Sequence, residues 1–114
     1  MTDTAILVDW DLYRSNPYTQ DFIMDRLGQA RMVLLVSDPQ RNDYEYEAHF
    51  GAPYVEWDAV VRNSAGLDNV AFKATALTVL QDSSTLVPVI GLDANNAVNS
   101  MYRDGGVLIT VEDF

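Results

Sequence analysis

Two aspartates stand directly after the first apolar segment of the chain. The run Ala5 to Val8 is bounded by polar residues, and Asp9 and Asp11 follow it with one residue between them. A short, continuous apolar run is typical of a strand that is buried on both faces of a parallel sheet. Ligands of open α/β sheets bind outside the carboxyl ends of such strands, so the pair stands where a ligand is expected. If the strand ends at Asp9, only Asp9 need face that ligand, because side chains alternate only while a strand continues.

Three further polar residues stand at comparable positions. Ser37 follows the apolar run Met32 to Val36, Asp93 follows Val87 to Leu92, and Lys73, the only lysine of the chain, lies near the start of a predicted helix. Each is ordinary on its own, since Ser and Asp are common turn residues. The order Asp-x-Asp, Ser, Lys and Asp at consecutive strand ends indicates a single site at the carboxyl edge of a sheet.

The segments that must hold these residues alternate between strand and helix. After the first strand, the pattern predicts strands at Met32 to Val36, Pro53 to Trp57, Val87 to Leu92 and Val107 to Thr110. Predicted helices run from the cap Asn16-Pro17 to Gly28, over Asn42 to Phe50, from a cap at Asp68 or Asn69, and from Asn95 or Asn96 to Gly105-Gly106. The segment from Asp11 to the second strand has room for one helix. The alternation predicts a single α/β domain over residues 1–114, a doubly wound three-layer α/β/α sandwich with a five-stranded parallel sheet.

Composition narrows the class of protein. Seventeen acidic residues against seven basic ones give a formal net charge of -10, which repels nucleic acid at long range and attracts cations. A nucleic-acid substrate would therefore have to be held by local contacts. Cysteine is absent and His49 is the only histidine, which excludes thiolate metal sites and clusters of histidine ligands. We expect a cytoplasmic protein without membrane partners, because no apolar run is long enough to span a bilayer and no signal-peptide pattern is present.

The site residues and their order resemble the haloacid dehalogenase (HAD) superfamily, whose phosphatases use an aspartate nucleophile. The resemblance runs from V-D-W-D at Val8 through V-L-L-V-S ending at Ser37 and the helix around Lys73 to V-I-G-L-D ending at Asp93. The C-terminal part is most similar to the phosphatase domain of phage polynucleotide kinases, on the positions Val98, Met101-Tyr102-Arg103 and Gly106-Val107.

The resemblance implies a role for each site residue. Asp9 would be the nucleophile that becomes an aspartyl phosphate, and Asp11 the general acid and base. Ser37 would bind a phosphoryl oxygen, and Lys73 would neutralise the charge of the phosphate and the nucleophile. Asp9, Asp11 and Asp93 would hold Mg²⁺, which prefers hard carboxylate oxygens. The implied activity is that of a Mg²⁺-dependent phosphomonoesterase acting on a nucleotide or a nucleic-acid 3′-phosphate end, in the host cytoplasm if the chain is encoded by a phage.

Some positions depart from the family pattern and leave alternatives open. Leu12-Tyr13 stand where family members usually have Gly-Thr, and Ala94 stands where relatives carry a second acidic residue. One alternative is therefore a catalytically degenerate member that acts as a binding module. Another is a receiver-like signalling domain, which is the weaker alternative because the aspartate pair follows the first strand. No segment is long enough for a cap domain, so the site would be open, as suits a large substrate.

Aromatic residues allow two interpretations. Trp10, between the two aspartates, either shields the site or packs in the core. The aromatic-rich middle of the chain either packs helix against sheet or provides stacking platforms for bases; its members are Tyr44, Tyr46, Phe50, Tyr54 and Trp57. So many aromatic side chains are also compatible with a homodimer, although no pattern defines its interface.

Overall fold

The first strand lies at the centre of a parallel sheet. The computed structural model describes residues 3–41, 53, 55–82 and 86–109. Within them, β1 (Asp3–Asp9) pairs in parallel with β2 (Arg31–Val36) on one side and with β4 (Leu86–Leu92) on the other. β3 (Ala59–Arg62) extends the sheet beyond β2, and the two-residue β5 (Leu108–Ile109) pairs with β4. The predicted α/β class and the all-parallel pairing are confirmed.

The strand order creates a crevice beside β1. Across the described residues the order is β3-β2-β1-β4-β5, so the chain moves outward from β1 to β2 and β3 and then returns to place β4 on the other side of β1. Where the order reverses in this way, the connections leave the two central strands in opposite directions and open a crevice at their carboxyl ends. Asp9 ends β1 at this crevice, and Asp93 directly follows β4.

Helices cover both faces of the sheet. Along β1, Ile6 and Val8 face one core and Ala5 and Leu7 face the other, as the two-residue period of a strand requires. The first core is closed by α1 (Trp10–Ser15) and α2 (Pro17–Arg26), and the second by α3 (Asn69–Asp82) and α4 (Asn96–Asp104). Among the helices of the described residues, none combines the length and the apolar character needed to cross a membrane.

The predicted starts of three helices are confirmed. Asn16 caps α2 by accepting a hydrogen bond from the Thr19 amide at 3.0 Å. Asp68, one of two predicted candidates, caps α3 through the Ala71 amide at 3.0 Å. Asn95 caps α4 and accepts from the amides of its first turn. These caps were predictable because short polar side chains satisfy the amides that a helix start leaves unpaired.

The predicted third strand, Pro53 to Trp57, is wrong. β3 begins only at Ala59, because the residues before it make other contacts: the carbonyl of Pro53 accepts the Tyr13 hydroxyl at 2.6 Å, and Val55 is buried in the core. The Asp58 carboxylate then accepts the Met32 amide at 2.7 Å. The Asp58 amide donates to the Met32 carbonyl at 3.0 Å, and residue pairing between β2 and β3 begins at Ala59.

The segment directly after Asp9 was also predicted incorrectly. It forms α1, a helix of six residues, so two helices rather than one lie between β1 and β2. A helix this short shows almost no periodicity, which is why the pattern did not reveal it. The predicted helix Asn42 to Phe50, with His49 and three of the middle aromatic residues, lies outside the described residues, as do Tyr54 and the Thr110 end of the predicted last strand.

Candidate functional site

Asp9 is held at the junction of β1 and α1. Its backbone is extended, and its side chain caps the helix by accepting the Leu12 amide on Oδ2 at 3.0 Å. The strand therefore ends at Asp9. For a strand that ends there, we expected that only Asp9 of the aspartate pair need face the crevice. One carboxylate oxygen is fixed by the helix, and the other points to the neighbouring strand end.

Lys73 joins the two central strand ends. It is the fifth residue of α3, close to the helix start as predicted, and its side chain is 1% exposed. The Nζ atom donates to Asp9 Oδ1 at 2.7 Å and to Asp93 Oδ2. A buried ammonium group needs such partners because burying an unpaired charge is very costly. The three side chains form one ion cluster, which we call the buried triad: Asp9, Lys73 and Asp93.

The carboxylate of Asp93 is fixed from its other side by the loop that leads into α4. Oδ1 accepts the Asn95 amide at 2.8 Å, and the Asp93 carbonyl accepts the amide nitrogen of the buried Asn99 side chain at 2.8 Å. The sequence interpretation missed Asn99. The available signal was its place between Val98 and Tyr102 on the buried face of a helix, where an asparagine needs a polar partner.

Burial dominates the electrostatics of the triad. It raises the pKa of the Asp9 carboxyl above its ordinary 3.8; the positive charge of Lys73 opposes this, and the negative charge of Asp93 adds to it. The pKa of Tyr102 is also raised, first by burial and then by the negative charges of Asp93 and Asp9. The Tyr102 ring lies against Gly91 of β4, where a Cβ atom would stand 2.5 Å from Cδ2 of the ring. The triad thus lies in a tightly packed, poorly solvated part of the molecule.

Asp11 does not join the triad. Its carboxylate is exposed and accepts Arg41 Nη2 at 2.7 Å and Arg14 Nε at 3.4 Å on the same oxygen, Oδ1. Successive residues of a helix point about 100° apart, so Asp11 is turned away from the direction of Asp9. Trp10, between them, is buried and stacks on Tyr13 with ring centroids 6.0 Å apart. Of its two predicted placements, packing in the core is the one observed.

Ser37 lies at the carboxyl end of β2, next to β1 in the sheet. It is half-buried, and its carbonyl accepts the side-chain amide of Asn63 at 2.9 Å. Asn63 also bonds the amide and carbonyl of Leu67, so it ties the end of β2 to the loop that precedes α3. Strand pairing sets Leu35 beside Asp9, which places Ser37 two residues further along the same edge.

The triad offers a limited but suitable donor set for Mg²⁺. Asp9 and Asp93 converge on one point, since both bind the same Nζ, and each of their four oxygens accepts a single N–H in the contacts above. A carboxylate oxygen can accept a second bond, and Mg²⁺ is commonly held by one or two carboxylates with waters and substrate phosphate. The residues therefore fit a two-carboxylate site. Among the described residues no group of three His, Cys, Asp or Glu side chains gathers, and the Asp11 side chain is directed to Arg41 instead.

Comparison with known proteins adds no relative. No protein-family model matches the chain, and no curated protein matches its sequence. The resemblance to the HAD superfamily therefore rests on the quoted motifs alone, and the chemistry has to be argued from the geometry of the site.

Proposed function

We propose that the chain is a HAD-type phosphomonoesterase with Asp9 as its nucleophile, built on a Rossmann-like three-layer sandwich. One observation supports this proposal most strongly: the only lysine of the sequence joins the aspartates at the carboxyl ends of β1 and β4. These two strand ends flank the crevice where open α/β sheets bind ligands. A cation between two carboxylates at this place supplies the nucleophile and the charge neutralisation that phosphoryl transfer requires.

In the proposed reaction, a carboxylate oxygen of Asp9 attacks the phosphorus atom of a phosphate monoester. The bond to the ester oxygen breaks, its electron pair stays on the leaving alcohol, and the alcohol takes up a proton. Water then attacks the phosphorus of the aspartyl phosphate, releases phosphate and restores Asp9. Leu12 fixes one oxygen of the nucleophile through its amide, so the direction of attack is preorganised.

Lys73 has a defined part in this scheme. An ammonium group has three N–H donors, and two of them go to Asp9 and Asp93. In the proposal the third would donate to a phosphoryl oxygen, and Ser37 at the neighbouring strand end would provide another donor. Bound Mg²⁺, held by Asp9 and Asp93, would supply further neutralisation of phosphate charge.

Asp11 is the general acid and base of the proposal, and it has to turn to reach the reacting oxygens. In the structure its carboxylate is bound by Arg14 and Arg41. Its side chain is 56% exposed, so rotation disturbs no core packing. In this proposal, Asp11 leaves these arginines and turns toward Asp9 to transfer the proton.

The test is phosphate release from an aryl phosphate and from a 3′-phosphorylated oligonucleotide, with Mg²⁺ and with EDTA. We expect Mg²⁺-dependent turnover that Asp9→Asn abolishes. Asp104→Asn, which makes the same charge change at an exposed position in the last turn of α4, should retain activity. Absence of turnover on both substrates by a folded protein would overturn the proposal.

A second function is favoured by the burial of the triad. Asp93 and Lys73 are 2% and 1% exposed. In addition, Asp9 Oδ2 accepts a hydrogen bond from the amide of Leu12, which belongs to the Leu12-Tyr13 pair that differs from the family pattern. In a catalytically degenerate binding module, the triad would only tie α3 to the two central strands. The same assay separates the two candidates, because the degenerate module would show no turnover and no response to Mg²⁺.

A further inference from the structure

Three arginines gather at the carboxyl edge of the sheet, next to the candidate site. Arg14 lies in α1, Arg41 follows β2, and Arg62 is the last residue of β3. The whole sequence contains only seven basic residues against seventeen acidic ones. With Lys73, four of the seven stand on the edge that carries Asp9.

The arginines are linked through the turn after β2 and through Asp11. Arg62 Nη2 donates to the Pro39 carbonyl at 2.8 Å, which fixes the turn that carries Arg41. Arg41 Nη2 and Arg14 Nε both bind Asp11 Oδ1, at 2.7 Å and 3.4 Å. We call this group the arginine rim: Arg14, Arg41 and Arg62. Among the described residues, Asp11 is an acidic group bonded to the rim. Asp38 lies in the turn before Arg41, and its Oδ1 accepts the Gln40 amide at 2.9 Å.

The rim has the properties of an anion site. A single carboxylate oxygen is bound by two guanidinium groups, each about one quarter exposed, whereas Asp11 itself is mostly exposed. Partly buried guanidinium groups are preorganised, and their planar donors match the oxygens of a phosphate. A phosphate group can therefore take the place of the Asp11 carboxylate, with its oxygens bound by Arg14 and Arg41.

We propose that Arg14 and Arg41 bind a second phosphate group of the substrate, which displaces Asp11 and releases it to act at Asp9. This inference rests on the proposed phosphatase function and narrows its substrate class. Preferred substrates would carry a phosphate diester or a further phosphate beside the scissile monoester, as oligonucleotide 3′-phosphates and nucleoside bisphosphates do. The rim would also hold an anionic substrate locally, against the repulsion of a chain with net charge -10.

The kinetic test compares three substrates: adenosine 3′-monophosphate, adenosine 3′,5′-bisphosphate and a 3′-phosphorylated trinucleotide. The measured quantity is the preference, the kcat/KM ratio of each larger substrate to the monophosphate. In Arg41→Gln we expect the preference to fall about tenfold, the loss of one charged hydrogen bond, and kcat for the monophosphate to rise because Asp11 is released. Arg103→Gln removes the same charge from the last turn of α4 and should leave the preference unchanged. The two larger substrates distinguish a nucleotide from an oligonucleotide as the source of the second phosphate.

A binding measurement separates this inference from the phosphatase proposal. Fluorescence anisotropy of a labelled 3′-phosphorylated trinucleotide is measured with Asp9→Asn and with EDTA-treated wild-type protein. Arg41→Gln should weaken binding about tenfold and reduce the slope of log affinity against log salt by about 0.7, the value for one contact to single-stranded phosphate.

The outcomes are distinct. Rim-dependent binding without turnover would retain the second-phosphate site and reject the phosphatase. Turnover with the same preference in Arg41→Gln and Arg103→Gln would reject the second-phosphate site and retain the phosphatase. Binding that Arg41→Gln leaves unchanged would likewise reject the site.

Discussion

Two groups of charged residues lie at the same edge of the sheet and differ in almost every physical respect. In the buried triad, one ammonium group joins two carboxylates that water scarcely reaches. In the arginine rim, two guanidinium groups bind one exposed carboxylate. Buried ions depend on their partners for several kcal/mol, whereas exposed pairs contribute little to stability. The triad is therefore held more firmly than the ion pairs of the rim, which is what the proposed exchange of the Asp11 carboxylate for a phosphate requires.

The largest effect is expected from Lys73→Met. This change leaves Asp9 and Asp93 as uncompensated buried carboxylates, which costs about 3–5 kcal/mol and lowers Tm by roughly 10 °C or more. Thermal unfolding measured against pH provides the control, since the deficit should shrink in acid as the carboxylates become protonated. A deficit that stays constant with pH would mean that lost packing, not unpaired charge, is its cause.

Gly91→Ala tests the packing of the Tyr102 ring against β4, next to the triad. The new Cβ would lie 2.5 Å from the buried Tyr102 ring, and overpacking of this kind costs about 1–3 kcal/mol. Gly105→Ala is the control, because the nearest atom there is the end of the flexible Leu77 side chain, at 2.9 Å. Chemical denaturation of both variants should show the larger loss at Gly91, and equal losses would contradict tight packing of Tyr102 against β4.

The sequence predicted the triad much better than the rim. Asp9 ends β1, Asp93 follows β4, and Lys73 lies in a strongly apolar helix, so the residues that place them form regular elements with clear patterns. The rim depends on α1, a helix too short to show a period, and on a turn after β2 whose geometry follows from Arg62 contacting Pro39. Such contacts join residues that are distant in sequence, and no local pattern encodes them.

Tertiary contacts also bear on one wrong element, the predicted third strand, and on one missed site residue, Asn99. The segment Pro53 to Trp57 has the composition of a strand, but Tyr13 and Asp58 take the bonds at its two ends. Asn99 was missed because its partner is a backbone carbonyl at the end of another element. In the first case a tertiary hydrogen bond decided an outcome that local propensity left open, whereas the partner of Asn99 lies only six residues earlier in the chain.

Asp9→Asn tests how the buried carboxyl group of the triad changes the free energy of unfolding with pH. Because the pKa of Asp9 is raised above 3.8 in the folded state, the folded chain binds this proton more tightly than the unfolded chain. Between pH 3.8 and the raised pKa, the contribution of Asp9 to stability therefore falls as pH increases. Asp9→Asn removes this dependence, so the variant should gain stability relative to wild type across that window and keep the gain at neutral pH. Urea unfolding at a series of pH values measures the difference, and a relative loss with rising pH would show that attraction to Lys73 outweighs burial.

The smallest effect on stability is expected from Asp11→Asn, at the rim. This change gives the clearest contrast between the rim and the triad. Asp11→Asn removes an exposed carboxylate from Arg14 and Arg41, and pairs of this kind contribute less than about 1 kcal/mol. Unfolding in urea should therefore be nearly unchanged, while turnover of a phosphate monoester should fall about 10²–10⁴-fold if Asp11 transfers the proton. Asp25→Asn, an exposed aspartate of α2, is the matched control for both measurements. A large loss of stability would make Asp11 a structural anchor of α1 and the turn after β2, and the rim would then resemble the triad in being fixed rather than exchangeable.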